Sequence, residues 1–249
     1  MSQTALNLIA VGIFLMTMTS LLGPIFHIPP VVPAAVTFGI LSLATADTLS
    51  WNSRGVSLLL DLFASKEQRQ RIINHEAGHF LTAYFLGIPI TGYTLTAWEV
   101  LKQGRLGRGG VSFDTEALTA KPFEFEAMRL TLERFCTVWM AGIAAEKIVY
   151  GDAQGGAEDQ KQLKQALVMA GLPEVGYPQK ERWAQLQATN LLIRHQQSYE
   201  ALVEAMTQRA SVTECYQVIQ QYCDADSEQL AIGHKLSLNN SCQEGLRIR

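Results

Sequence analysis

Hydrophobic and polar positions divide the chain into two contrasting stretches. From Ala5 to Gly23 no charged residue interrupts a run dominated by Leu, Ile, Val, Phe and Met. A second uncharged run extends from Val31 to Thr45, and the first acid follows only at Asp47. Between them, Pro24-Ile25-Phe26-His27-Ile28-Pro29-Pro30 holds three prolines, which cannot continue a helix. A bilayer core takes about 20 apolar residues, so the pattern predicts an N-terminal transmembrane hairpin of two helices within residues 1–50. The start Met1-Ser2-Gln3-Thr4 has no positive charge, which argues against a secretory signal peptide. Arg54, Lys66, Arg69 and Arg71 are the first positive charges. By the positive-inside rule they put the rest of an integral membrane protein on the cytoplasmic face.

After a linker over 51–64 the pattern turns helical, and residues 65–237 read as one domain followed by a polar tail over 238–249. Ser65 and Gln68 form a capping box for a helix that runs through Ile72-Ile73-Asn74-His75-Glu76-Ala77-Gly78-His79-Phe80-Leu81. Gly87 and Pro89 end it. The β-branched and aromatic content of residues Thr91 to Trp98 predicts a strand, whose edge could take an extended peptide. A glycine-rich turn follows over Gly104 to Gly110, and Val111-Ser112-Phe113 returns as a second strand. Beyond Pro122 the sequence predicts helices from Phe123 to Tyr150, from about Glu158, and between Pro178 and Tyr222. The expected fold class is thus mainly α (α+β), with a small β-sheet beside the motif helix and the transmembrane hairpin in front.

Composition narrows the function. Across 249 residues, 20 Lys+Arg stand against 23 Asp+Glu, a formal charge of -3. That balance lacks the basic surplus of a nucleic-acid partner. Cys136, Cys215, Cys223 and Cys242 contain no CxxC pair and read as reduced thiols on a reducing side of the cell.

The chemistry lies in one helix. His75 and His79 are four residues apart, so both imidazoles project from one face at a separation that can chelate one Zn²⁺. Glu76 follows the first histidine directly, where a carboxylate can take a proton from a metal-bound water as general base. A packing role for the histidines would not need Glu76, and an apolar helix face rarely buries His-Glu-His without a metal or a network. Catalytic zinc needs a third protein ligand. His27, His195 and His234 stand in isolation, whereas Glu158 and Asp159 follow Gly155-Gly156-Ala157 at a predicted loop-to-helix corner, where either carboxylate can reach a metal or simply cap the helix.

These blocks resemble the peptidase domain of the FtsH-type membrane-bound zinc proteases. His75-Glu76-Ala77-Gly78-His79 has that family's form of the motif, and Ala141-Gly142-Ile143-Ala144-Ala145-Glu146 through Gly151 is similar to its Gly-Arg-Ala-Ala-Glu helix ending at Phe-Gly. Gly156-Ala157-Glu158-Asp159 resembles its Gly-Ala-x-x-Asp segment. The resemblance covers roughly Lys66 to Leu172 and implies a zinc site of His75, His79 and Asp159. Glu158 stays open as the ligand, because the aspartate falls one place closer to Gly-Ala than in the family. Ile143 replaces the family's arginine. The small residues Ala141, Gly142, Ala144 and Ala145 would let two helices approach closely, and Glu146 either supports the site or faces solvent. The family's AAA ATPase module, with its GxxxxGK[ST] phosphate loop, has no counterpart in these residues. The resemblance therefore implies a membrane-anchored zinc metalloendopeptidase acting on peptides or unfolded proteins without its own ATPase, alone or as a homo-oligomer. The alternative is a non-catalytic or partner-dependent scaffold subunit that assembles with AAA-type membrane proteases. An intramembrane protease is disfavoured, since Lys66, Glu67, Arg69 and Arg71 directly before the motif would be costly in lipid.

Overall fold

The computed structural model describes residues 3–23, 25, 27, 29, 31–50, 64–102, 109–114 and 125–223. Most of the expected linker and glycine turn, the polar tail, His234 and Cys242 lie outside them. The chain forms two units, Met1–Arg69 with Thr94–Gly109 and Gln70–Tyr93 with Gly110–Arg249.

In the first unit, α1 (Gln3–Leu22) and α2 (Val31–Ser50) pack against each other. Among the described residues no helix is long and apolar enough to cross a membrane. This corrects the expected transmembrane hairpin, and these helices give the integral-membrane placement no support. The expectation rests on a lack of charge and a high content of Leu, Ile, Val, Phe and Met, but polar residues interrupt both helices. In α1 the apolar run Ala10 to Met16 gives way to Thr17, Thr19 and Ser20, and α2 is punctuated by Pro33, Thr37, Ser42, Thr45 and Asp47. Thr17, Thr19 and Thr37 donate their hydroxyls back to Ile13 O (2.8 Å), Leu15 O (2.7 Å) and Pro33 O (2.8 Å).

The helix α3 (Lys66–Phe85) opens with the capping box expected at Ser65. Ser65 Oγ accepts from Gln68 N at 3.1 Å, and Gln68 Oε1 accepts from Ser65 N at 3.2 Å. The helix stops where Gly87 takes φ 69°, and Ile88 N donates to Ala83 O at 2.9 Å. This left-handed cap suits glycine.

The strand expected from Thr91 to Trp98 is shorter. β1 spans Ile90–Thr94, and the short helix α4 takes Ala97–Lys102. The cause is a second capping device: Glu99 N donates to Thr96 Oγ1 (3.2 Å), while Glu99 Oε2 accepts from Leu95 N (2.7 Å). The Thr-x-x-Glu pattern outweighs the β-propensity of its neighbours. β2 (Gly110–Phe113) pairs with β1 in a two-stranded sheet. Asp114 N donates to Pro89 O (2.9 Å) and Thr91 Oγ1 to Ser112 O (3.1 Å), a progression that runs antiparallel.

The second unit is built on α5 (Phe125–Tyr150), which packs against α6 (Ala157–Met169) and α7 (Tyr177–Arg194). Leu163, Leu167, Ala184, Ala188 and Leu192 are buried, as are Phe135, Val138 and Met140 on α5, each large apolar side chain contributing about 1.5–3 kcal/mol on burial. α8 (Gln196–Thr207) and a last helix α9 over residues 212–223 complete the core with Leu202, Met206 and Ile219. The thiols of Cys136 and Cys215 are free and pushed up to about 11 by burial, which keeps them protonated and unreactive at neutral pH.

The small-residue stripe of α5 meets α3. A Cβ at Gly78 would lie 2.7 Å from both Ala141 O and Ala145 Cβ, so here the two helices touch backbone to backbone. That contact brings the motif helix close enough for α5 to support its histidines.

Candidate metal centre

α3 carries the motif into the interior, with His75, Ala77, Gly78, His79 and Phe80 all buried. The two imidazoles stand edge to face, their centroids 4.7 Å apart, as the four-residue spacing requires. α6 supplies a third group from its first turn. Asp159 Oδ2 lies 3.1 Å from His75 Nε2 and 3.5 Å from His79 Nε2. Ligand atoms of His75, His79 and Asp159 all fall within 4.8 Å of one another. Glu158 points away: its side chain is 70% exposed and pairs with Lys161 at 3.3 Å.

Gly156 makes this corner. Its φ of 91° is left-handed, and a Cβ there would stand 2.2 Å from Ile143 Cγ1. Glycine is required on both counts, and the turn delivers Asp159 to the histidines within three residues.

Each imidazole is fixed through its other nitrogen. His79 Nδ1–H donates to Val138 O at 2.7 Å, and His75 Nδ1–H donates to Glu146 Oε1 at 2.7 Å. Such partners set tautomer and ring orientation, so that Nε2 is the atom offered to a metal. Of the two placements open to Glu146, the structure takes the inward one, with the residue 1% exposed. Its carboxylate also accepts from Gly155 N (3.0 Å), Gln154 N (2.9 Å) and Arg71 Nη1 (3.1 Å). Burial opposes the charge, but His75, the Gln154 amide and Arg71 outweigh it and hold Glu146 ionised down to about 2.

The field at this point favours positive charge. Burial works against a charged His75, yet the hydrogen bonds of Asp159 and Glu146 and the nearby charge of Glu76 raise it to about 10. His79 is raised in the same direction, mainly by the charge of Asp159 against its desolvation. Asp159 lies well below the usual carboxylate range, its own burial outweighed by His79 and His75. Two imidazole nitrogens and one carboxylate, pre-oriented and in a negative field, are a donor set suited to zinc.

Glu76, on the same helix, is held by β2: its Oε2 accepts from Val111 N at 3.0 Å. A Cβ on Gly110 would come within 3.3 Å of that oxygen. The strand beside the motif carboxylate is therefore β2, whereas the stretch from Thr91 to Trp98 was the one expected to serve an extended peptide.

Sequence reasoning missed Arg71, Asp152 and Val138. The Val138 contact is a backbone carbonyl, which no side-chain pattern reveals. Arg71 lies one turn before His75 on the same helix, and that spacing was the only signal of it.

No protein-family model matches the chain. Over 101 residues, 40% of its length, the chain is 33% identical to the ATP-dependent zinc metalloprotease FtsH 1 of Methylacidiphilum infernorum (isolate V4). The matched stretch spans 14% of that protein's length. Together with a site of two histidines and an aspartate, this partial similarity supports a relationship between the chain and FtsH-type zinc metalloproteases.

Proposed function

We propose that the chain is a zinc metallopeptidase in which His75, His79 and Asp159 hold the metal and Glu76 is the general base. The observation that carries this reading is the convergence of His75 Nε2, His79 Nε2 and Asp159 Oδ2 with Glu76 one residue from the first ligand. A zinc ion bound there supplies Lewis acidity, which polarises a peptide carbonyl and makes a water easier to deprotonate. The protein's part is to position and to move protons. Glu146 and Val138 O hold the two rings with Nε2 turned to the site. The Val111 amide holds Glu76 by one oxygen, and the carboxylate takes the proton of the attacking water and returns it to the leaving amine. The substrates are peptides or unfolded proteins. The test is turnover of unfolded casein by the purified zinc-loaded chain without ATP, before and after removal of zinc by a chelator. Cleavage that disappears with the metal and returns with added zinc is expected; cleavage indifferent to the chelator, or none from the loaded chain, overturns the proposal.

The choice between the two α6 carboxylates yields a separate prediction. Asp159→Asn keeps an oxygen but loses the charge, and should weaken zinc binding on the order of 10–100-fold, a loss comparable to that of a supporting partner. Glu158→Gln should leave zinc affinity unchanged, since that side chain is spent on solvent and Lys161. Competition against a chromophoric chelator measures both, and equal effects of the two substitutions would remove Asp159 from the ligand set.

A further inference from the structure

We infer that Arg71 is a positioning residue for the metal centre, an ionic clamp that ties the His75 side of the site to the loop that delivers Asp159. The inference rests on the zinc reading above. Arg71 lies one turn before His75 on α3, so the two side chains share a face. Its Nη1 donates to Glu146 Oε2 at 3.1 Å, and Glu146 Oε1 in turn accepts from His75 Nδ1 at 2.7 Å. The same guanidinium reaches the loop between α5 and α6. Nη1 and Nη2 each donate to Asp152 Oδ1 at 3.1 Å, and Nη1 also to Asp152 O at 3.3 Å. Three residues on, Gly155 N donates to Glu146, and four residues beyond that stands Asp159. One cation thus bears on both the histidine and the aspartate arms of the site.

The inner half of the clamp is shielded from solvent. The Arg71 side chain is 13% exposed and that of Glu146 is 2%, so their pair is not a screened surface pair, whereas Asp152 is 60% exposed and its tie depends more on the several bonds from one guanidinium. The guanidinium carbon lies 4.2 Å from the centroid of the Tyr150 ring, and the Tyr150 hydroxyl accepts from Asn74 Nδ2 at 3.0 Å. Tyr199 donates its hydroxyl to Asn74, with O and Oδ1 both at 3.0 Å. The stacking face and the fork of donors are properties of arginine that lysine does not share. Without Arg71, Glu146 keeps its bonds to His75 and to two amides but loses its cation, and the Asp152 loop loses its tie to α3.

The test is zinc affinity of the full chain, measured by competition with a chromophoric chelator, together with the visible spectrum of the Co²⁺-loaded protein. Arg71→Met should weaken zinc binding by about 10–100-fold, as loss of an outer partner of a metal ligand does. It should also alter the Co²⁺ bands, which a substitution affecting only overall stability would leave in place. Arg71→Lys should recover part of the affinity, and Asp152→Asn should weaken it less than Arg71→Met does. Wild-type affinity and an unchanged Co²⁺ spectrum in Arg71→Met overturn the inference. If Arg71→Met does not fold, Asp152→Asn decides, and wild-type affinity there overturns it. A wild-type chain that binds no zinc overturns the metallopeptidase reading itself and this inference with it.

Discussion

Glu76→Gln is expected to abolish measurable peptide hydrolysis while leaving zinc content at the wild-type level. Glutamine matches glutamate in size, and its side-chain oxygen can still accept from Val111 N, now 3.0 Å from Glu76 Oε2. What it cannot do is take a proton from water. A positioned general base is worth about 10²–10⁴ in rate, and in the proposed reaction Glu76 acts twice, first on the water and then on the leaving amine. The loss should therefore fall at the upper end of that range. None of the ligand atoms of His75, His79 and Asp159 is touched, so the metal-to-protein ratio and the melting temperature should not change. Casein turnover and metal analysis on the same preparation check both halves. A variant that retains activity within about tenfold of wild type would show that Glu76 is not the base, while a variant that loses zinc would make it a structural member of the site.

How much of this centre can be read in the sequence depends on how local each contact is. His75, Glu76 and His79 are legible because a helix converts spacing into a shared face. The capping box at Ser65 and Gln68 is legible for the same reason. The box at Thr96 and Glu99 has the same form, but it is masked by the β-branched and aromatic residues before it. Asp159 is 84 positions from His75, and residue type alone could not separate it from Glu158. The resemblance pointed to Asp159; the geometry of the Gly156 turn gives the physical reason for its approach. Glu146 shows the limit most clearly. On an isolated helix a glutamate is as easily solvated as buried, and only the packing of α5 on α3, made possible by Gly78, Ala141 and Ala145, turns it inward. The N-terminal helices show the opposite failure, in which two uncharged, largely apolar runs were read as spans although threonines, serines and a proline interrupt them.

Gly142→Ala is the substitution for which helix propensity and packing disagree most. Alanine is the better helix former by about 0.8–1.0 kcal/mol, and Gly142 lies well inside α5, so propensity alone predicts a more stable protein. The space says otherwise. A Cβ at this position would lie 2.3 Å from His75 Nε2 and 2.5 Å from both Cδ2 and Cε1, a clash that the imidazole cannot accommodate where it stands. The ring cannot swing aside without giving up its 2.7 Å bond to Glu146 Oε1, and Glu146 is itself pinned by Gln154 N, Gly155 N and Arg71. If α5 retreats instead, the buried contacts of Ala141 and Ala145 with α3 open. Forcing extra volume into such a contact costs about 1–3 kcal/mol, and each kcal/mol lowers the melting temperature by about 2–4 °C in a domain of 150–250 residues. Both routes move His75 Nε2 away from Asp159. Zinc affinity should fall by more than the about 10–100-fold expected for losing a supporting partner, and hydrolysis should fall with it. Gly176→Ala is the matched control: nothing lies within 4 Å of a Cβ there, and zinc binding should be unchanged. A Gly142→Ala protein with wild-type zinc affinity and melting temperature would mean that His75 does not lie against α5, and the support assigned to Glu146 and Val138 would then have to be rebuilt.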